Sequence, residues 1–236
     1  MSEGGAPKGS VGDAIREAAE RLAATTDTPR LDAELLMAQA LGISRSDMLL
    51  RAMRDPAPDG FEALVARRQG HEPVAYITGS AEFYGLDLQV SPAVLIPRGD
   101  SETLIEAARE HFGTRAPPQR ILDLGTGSGN IAVALAANLP GARVTAVDIS
   151  PQALELAREN AELNNVAARI DFIPGDLCAA LEPGTPPFDL IVSNPPYIAG
   201  AEEETLMDDV RLFEPRIALI DSRSPESDGL GFYRAI

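Results

Sequence analysis

The spacing of hydrophobic residues predicts that the first part of the chain is helical. From residue 11 to residue 70, apolar side chains recur every three or four positions, which is the period of an amphipathic helix. Thr28–Pro29 and Ser44–Asp47 have the residue types that begin helices, and Gly42 has the type that ends one. We therefore expect residues 1–80 to form a bundle of four short helices. In the second helix, the residues expected to face the core are Leu31, Leu35, Ala38 and Leu41.

The pattern then changes to strands alternating with helices. Two stretches that alternate apolar and polar residues flank Gly85–Asp87, so residues 81–95 are predicted to form a hairpin that links two domains. In residues 96–236, short apolar runs typical of buried strands alternate with helical stretches. The strands are expected at residues 121–124, 144–148, 170–173 and 190–192. This alternation indicates an α/β domain with a parallel sheet covered by helices on both faces.

Residues with useful chemistry come directly at the ends of the predicted strands. In chain order they are Gly125-Thr126-Gly127-Ser128-Gly129, Asp148, Asp176-Leu177 and Asn194-Pro195-Pro196-Tyr197. Parallel sheets bind ligands at the carboxyl ends of their strands, where the strand order changes direction. We therefore expect these residues to form one site.

The motif Asn194-Pro195-Pro196-Tyr197 is suited to a flat group that carries an NH2. Neither proline can donate a backbone hydrogen bond, so the loop is stiff and its carbonyl groups stay out of the sheet. Asn194 offers an acceptor and a donor, and Tyr197 offers a flat ring. With the Asn194 oxygen and a proline carbonyl each accepting one N–H, an amide NH2 would be oriented for reaction. The alternative is a rigid loop without a chemical role.

The glycine-rich turn and the acidic residues predict a nucleotide-like cofactor. Gly-x-Gly-x-Gly after one strand and Asp148 at the end of the next are shared by dehydrogenases and methyltransferases, and Asp148 is placed to bind ribose hydroxyls. Three features favour S-adenosylmethionine. The turn lacks the third glycine position that suits a diphosphate, Asp123 would repel a diphosphate but suit an amino group, and Asp176 can accept from an adenine amino group. For Asp176, a helix cap is the alternative role.

Composition limits the classes of function. The net charge of −16 argues against duplex DNA binding, which depends on lysine and arginine. The single cysteine, Cys178, excludes an internal disulfide and fits the reducing cytoplasm, and no apolar run is long enough to span a membrane. The pair His71-Glu72 has no further metal ligand at useful spacing, so no metal site is expected.

Several stretches resemble the family that methylates a glutamine of peptide-chain release factors, within the class I methyltransferases. They are Glu72–Gly79, Glu82–Leu86, Val94–Arg98, Asp123–Gly129, Ala146–Ser150 and Asn194–Ile198. The resemblance implies a helical N-terminal bundle followed by a Rossmann-like class I methyltransferase sheet. Gly99 departs from the family, which usually has proline there. The family also has further strands, including an antiparallel hairpin, so we expect a sheet truncated at its C-terminal strands.

The resemblance implies methyl transfer from S-adenosylmethionine to the glutamine of the Gly-Gly-Gln motif in release factors. By this resemblance Gly125 to Gly129, Asp148 and Asn194 contact the cofactor, and by position Asp176 and Leu177 flank its adenine. The expected catalytic and substrate-binding residues are Asn194, Pro195, Pro196 and Tyr197. The helical bundle is expected to recognise the release factor, and the protein is expected to be monomeric.

Three other functions remain open at this point. Asn-Pro-Pro-Tyr also occurs in enzymes that methylate amino groups of nucleic acids, although the acidic charge opposes that activity. A ribosomal-protein glutamine methyltransferase would differ mainly in the N-terminal part. A non-catalytic binding module is the alternative outside the enzymes.

Overall fold

The computed structural model describes residues 9–112, 120–223 and 228–236. The first eight residues of the predicted bundle therefore lie outside the described part of the chain. The described residues divide into two compact units, with the boundary between Thr78 and Gly79.

The first unit is helical. Its elements are α1 (Val11–Leu22), α2 (Pro29–Leu41), α3 (Arg45–Asp47), a π-helical turn (Met48–Ala52), α4 (Phe61–Gln69) and α5 (Val74–Thr78). Two of the predicted start and stop signals act as expected, whereas the side chain of Thr28 makes no capping hydrogen bond to α2. Ser44 accepts a hydrogen bond from the backbone N–H of Asp47 at 3.0 Å, and Gly42 ends α2 in a left-handed conformation.

The buried face of α2 differs from the prediction. The buried apolar residues of this helix are Ala33, Leu36, Met37 and Ala38, whereas Leu31 is 41% exposed. Of the four residues predicted to face the core, only Ala38 is buried. The reason is that α2 contacts α1, α3, α4 and α5, so its buried face is wide and is set by those neighbours. The same packing buries Asp32, whose Oδ2 accepts from Nε of Arg68 at 2.8 Å.

The second unit contains a hairpin, a sheet and the helices around the sheet. Its strands are β1 (Ser80–Phe83), β2 (Leu86–Gln89), β3 (Arg120–Leu124), β4 (Arg143–Asp148), β5 (Ile170–Pro174) and β6 (Leu190–Ser193). Its helices are α6 (Glu102–Phe112), α7 (Asn130–Asn138), α8 (Pro151–Leu163), α9 (Asp208–Phe213), α10 (Arg216–Leu219) and α11 (Gly231–Ala235).

Within the described residues, the main sheet has four parallel strands in the order β5-β4-β3-β6. This confirms the predicted Rossmann-like class. The chain runs outward from β3 through β4 to β5, and then crosses to the other side of β3 to form β6. The strand order therefore changes direction between β3 and β6, and a ligand is expected at the carboxyl ends of these two strands.

Both faces of the sheet centre are buried, as a parallel sheet requires. Ile121 packs in one apolar cluster with residues of α7, and its neighbour Leu122 packs in another with Val147. At the edge strand β6, Val192 is buried but Ile191 is 51% exposed. The prediction that residues 190–192 form a buried strand was therefore wrong for Ile191, because β6 has a neighbour on one side only within the described residues.

The hairpin that we predicted as a linker belongs to the second unit. Phe83 and Leu88 are buried in the same apolar cluster as α7. Asn160 of α8 adds two hydrogen bonds to the backbone of Gln89, one accepted at 2.6 Å and one donated at 2.9 Å. The same side chain donates to the carbonyl of Ser128 at 2.9 Å, so Asn160 joins the hairpin to the glycine-rich turn.

Candidate active site

The carboxyl ends of the four parallel strands bring the predicted site residues together. The turn Gly125–Gly129 follows β3, Asp148 ends β4, Asp176 and Leu177 follow β5, and Asn194 follows β6. Neighbouring strands in a sheet are about 4.8 Å apart, so these residues lie along an edge about 14 Å long.

A cavity of about 360 Å³ lies over this edge of the sheet. The predicted residues that line it are Gly125, Thr126, Gly127, Ser128, Asp148, Asp176, Leu177, Asn194, Pro195 and Pro196. We call it the cofactor cavity. Its volume lies within the range of about 300–1,000 Å³ that is typical of small-molecule sites.

A second cavity of about 380 Å³ lies beside the first. It has Tyr197 in its wall, and it shares Asn194 and Pro195 with the cofactor cavity. We call it the substrate cavity. Asn194 and Pro195 are therefore in the lining of both cavities.

The glycine-rich turn needs its glycines for conformational reasons. Gly125, Gly127 and Gly129 all have positive φ, at +72°, +54° and +78°. The turn is held by the backbone N–H groups of Gly125 and Thr126, which both donate to the carbonyl of Val147 at 2.9 and 3.0 Å. Gly129 does not line the cofactor cavity. A Cβ at Gly129 would lie 3.0 Å from the Cβ of Ala157, so this glycine allows α7 and α8 to pack closely.

Asp148 has a structural role in addition to the predicted ribose contact. Its carboxylate accepts from the N–H of Gly127 at 2.8 Å and from the N–H of Ser150 at 2.9 Å. Burial raises the pKa of Asp148, and the hydrogen bonds from the backbone oppose that rise. Each carboxylate oxygen has a second lone pair, so Asp148 can hold the turn and still accept from a ligand in the cavity.

Asp123 does not reach the cofactor cavity. It is fully buried beneath the turn, where its Oδ2 accepts from the hydroxyl of Thr126 at 2.7 Å. In the described part of the chain, Oδ1 has no hydrogen-bond partner of normal geometry. Burial, with a smaller effect of the nearby Asp148 charge, raises the pKa of Asp123 to about 7. The expected contact between Asp123 and a cofactor amino group is therefore not formed by this geometry, because the strand directs the side chain into the interior.

Asp176 and Leu177 lie at the β5 end of the cofactor cavity. The carboxylate of Asp176 forms an ion pair with Arg223, whose guanidinium lies 4.9 Å from the centre of the Phe232 ring. Asp176 precedes the short turn Leu177–Ala180 but makes no capping hydrogen bond to it with its side chain, so the geometry does not support the helix-cap alternative. Leu177 is buried against Leu122 and its neighbours.

The loop Asn194–Tyr197 has the unbonded backbone acceptors, within the described residues, that its two prolines predict. Among the described residues, no N–H donates to the carbonyl of Pro195 or Pro196. The chain after the loop is fixed because Ile198 exchanges backbone hydrogen bonds with Leu219 and Asp221, at 3.1 and 2.8 Å. Tyr197 is 57% exposed, so its ring is available at the mouth of the substrate cavity.

Residues that were not predicted also line the two cavities. Arg98 and Ser101 line both cavities, and Asp100 lines the substrate cavity.

The carboxylate of Glu214, whose side chain is only 2% exposed, forms an ion pair with Arg98 and accepts from the N–H of Ile96 at 3.2 Å. Burial raises the pKa of Glu214, and the positive charge of Arg98 opposes that rise. Only the block that contains Arg98 was visible as a motif in the sequence. Its pairing with Glu214 was not visible, because the two residues are 116 positions apart.

Comparisons with known proteins agree with this geometry. The family described as "Methyltransferase small domain" matches residues 100–213, and the family described as "PrmC N-terminal domain" matches residues 13–79.

Curated relatives named release factor glutamine methyltransferase cover most of the chain. The protein of Chlorobaculum tepidum is 43% identical over 219 residues, which are 89% of this chain and 73% of that protein. The protein of Koribacter versatilis is 46% identical over 84% of this chain and 70% of its own length. The protein of Geobacter sulfurreducens is 46% identical over 89% of this chain and 71% of its own length. These matches confirm the resemblance seen in the sequence motifs, and the chain belongs to the release factor glutamine methyltransferase family.

Proposed function

We propose that this chain transfers the methyl group of S-adenosylmethionine to the side-chain amide nitrogen of the glutamine in the Gly-Gly-Gln motif of peptide-chain release factors. Family membership supports the reaction and the cofactor. The observation that carries the proposal for this chain is the position of Asn194 and Pro195 in the common wall of two adjoining cavities.

The strand order suggests how the cofactor lies in its cavity. We assign the adenine to the β5 end, next to Leu177 and Asp176, and the ribose to Asp148 at the end of β4. The turn after β3 then holds the methionine part, since its glycines allow close approach of the backbone. This direction places the reacting end next to Asn194, where the substrate cavity begins.

The residues of the loop are suited to hold an amide. An amide nitrogen is a poor nucleophile because its lone pair is delocalised into the carbonyl group. The Asn194 side-chain oxygen and a carbonyl of Pro195 or Pro196 can each accept one N–H of the glutamine, which fixes the direction of the nitrogen. Tyr197, in the wall of the substrate cavity, can pack on the flat amide.

The cofactor supplies an electrophilic methyl group on its sulfonium. When bound, the cofactor would transfer this methyl group to the glutamine nitrogen with loss of its bond to sulfur, and the nitrogen would then lose one proton. Positive charge therefore develops on the nitrogen, and the acceptor oxygens at Asn194 and the prolines stabilise it. The sequence suggested no base near Asn194. Asp100 is one of the residues that line the substrate cavity, and we propose that its carboxyl group accepts the released proton directly or through water.

The test is mass spectrometry of a release factor after incubation with the protein and S-adenosylmethionine. We expect the mass of one added methyl group on the peptide that contains Gly-Gly-Gln, and fragmentation should place it on the glutamine. A release factor with asparagine in place of that glutamine is the matched control. Methylation of adenine in added DNA, with the glutamine unmodified, would contradict the proposal.

We propose that the helical unit, residues 9–78, contacts the body of the release factor. Its exposed apolar side chains Leu31, Ile43 and Leu50 support such a contact, since exposed apolar groups often mark protein interfaces. Leu50 is 79% exposed. The substitution Leu50→Glu should raise KM for an intact release factor and leave KM for a short Gly-Gly-Gln peptide unchanged.

We further propose that the protein acts in the cytoplasm as a monomer. Within the ranges that the structure describes, no helix is long and apolar enough to cross a membrane. Cys178 is exposed and free, which suits a reducing compartment. Light scattering coupled to size-exclusion chromatography will test the monomeric state.

A further inference from the structure

Ser101 lies where the two cavities meet. It is only 8% exposed, and it belongs to the lining of both the cofactor cavity and the substrate cavity. The side-chain nitrogen Nδ2 of Asn194 donates a hydrogen bond to Oγ of Ser101 at 3.2 Å. This contact joins residues that are 93 positions apart in the sequence.

The hydrogen bond holds the side-chain amide of Asn194 beside Ser101. The NH2 end is directed towards the hydroxyl, so the oxygen Oδ1 is directed away from it. In the described part of the chain, no hydrogen bond reaches this oxygen. Oδ1 therefore keeps its full capacity to accept from a bound molecule.

The position of this amide decides whether Asn194 can bind the glutamine. The last torsion of an asparagine side chain is broad, so without a specific contact the amide can rotate through a wide range of angles. Its oxygen would then spend less time where the NH2 of a glutamine can reach it. A hydroxyl can both donate and accept, so Ser101 restrains the amide whichever of its ends faces the hydroxyl.

Ser101 is itself held in place. Its backbone N–H donates to the carbonyl of Arg98 at 3.0 Å, and Arg98 is paired with the buried Glu214. On the other side, the hydroxyl of Ser193 donates to the carbonyl of Leu124 at 2.7 Å and fixes the end of β6 next to Asn194. Both partners of the hydrogen bond are therefore anchored by separate contacts.

We infer that Ser101 is a positioning residue, which holds the side-chain amide of Asn194 at the junction of the two cavities, where it can bind the amide of the substrate. This inference rests on the proposed glutamine methylation. Ser101 touches neither the breaking bond nor the forming bond in this account. It acts through Asn194 only.

The test compares the wild-type protein with Ser101→Ala, Ser101→Thr and the control Thr185→Ala. The last variant removes an exposed hydroxyl that donates only to a backbone carbonyl, that of Glu182. Loss of one neutral hydrogen bond changes an equilibrium by about 2-fold to 10-fold, so Ser101→Ala should lower kcat by that factor. Cofactor affinity, measured by calorimetry, should stay within 2-fold of wild type. Ser101→Thr keeps the hydroxyl and should restore kcat, and Thr185→Ala should match the wild type.

A nuclear magnetic resonance measurement separates this inference from the proposed function. The side-chain NH2 signals of Asn194 should shift in Ser101→Ala and return in Ser101→Thr, with or without any substrate. A wild-type protein that does not methylate the glutamine would refute the proposed function alone. Unchanged NH2 signals, a wild-type kcat in Ser101→Ala, or an equal loss in Ser101→Thr would overturn the positioning role.

Discussion

The buried carboxyl group of Asp123 should make the stability of the protein depend on pH. Its pKa is raised to about 7 from the ordinary value of 3.8, chiefly because burial disfavours the charged form. Folding therefore favours the protonated state. Between pH 3.8 and pH 7 the folded protein keeps a proton that the unfolded chain has lost, so the free energy of unfolding falls as pH rises. The shift spans about 3 pH units, which at 1.36 kcal/mol per unit corresponds to about 4 kcal/mol.

The substitution Asp123→Asn removes this titration and keeps the size of the side chain. Its amide oxygen can still accept from Thr126, as the carboxylate does at 2.7 Å. Urea unfolding followed by circular dichroism will measure both proteins at pH 5 and pH 8. Relative to Asp123→Asn, the wild type should lose about 2–3 kcal/mol between these two pH values, because most of the titration lies in that interval. Parallel changes in the two proteins would refute the reasoning, since other groups titrate equally in both.

Three further substitutions test the site. Asp148→Ala should weaken cofactor binding by about 1.5–3 kcal/mol, which is the usual contribution of hydrogen bonds to a charged group. An unchanged affinity, measured by calorimetry, would show that Asp148 does not bind the ribose. Asn194→Ala should lower kcat by about 100-fold, because it removes a hydrogen bond to the transition state, and the melting temperature should not change. A kcat near that of the wild type would exclude Asn194 from catalysis. Gly127→Ala and Gly129→Ala should each reduce the free energy of unfolding by about 1–2 kcal/mol, because both residues have positive φ. The loss should be larger for Gly129→Ala, because only a Cβ at residue 129 would also be in close contact with Ala157. Equal losses would show that α7 and α8 adjust without cost.

The sequence by itself determined the class of the fold and the position of the candidate site along the chain. The periods of apolar residues predicted helices before residue 79 and alternating strands and helices after residue 120, and the structure has both. These patterns depend on neighbours within a few positions, which is why they can be read locally. The turn Gly125–Gly129 and the loop at Asn194 were also visible, because positive φ and proline stiffness are properties of the residue types.

Only the tertiary structure decided which side chains each element presents to its surroundings. The packing of the neighbouring helices around α2 selected its buried face. Within the described residues β6 has a neighbour on one side only, and Ile191 is half exposed. Asp123 is an acidic residue within a strand, and from the sequence we expected it to contact a ligand. The fold instead buries it beneath the turn. The contact of Ser101 with Asn194 joins segments 93 residues apart, and no local pattern encodes it. Such contacts form only when distant parts of the chain pack together, and for this reason the orientation of the site had to come from the structure.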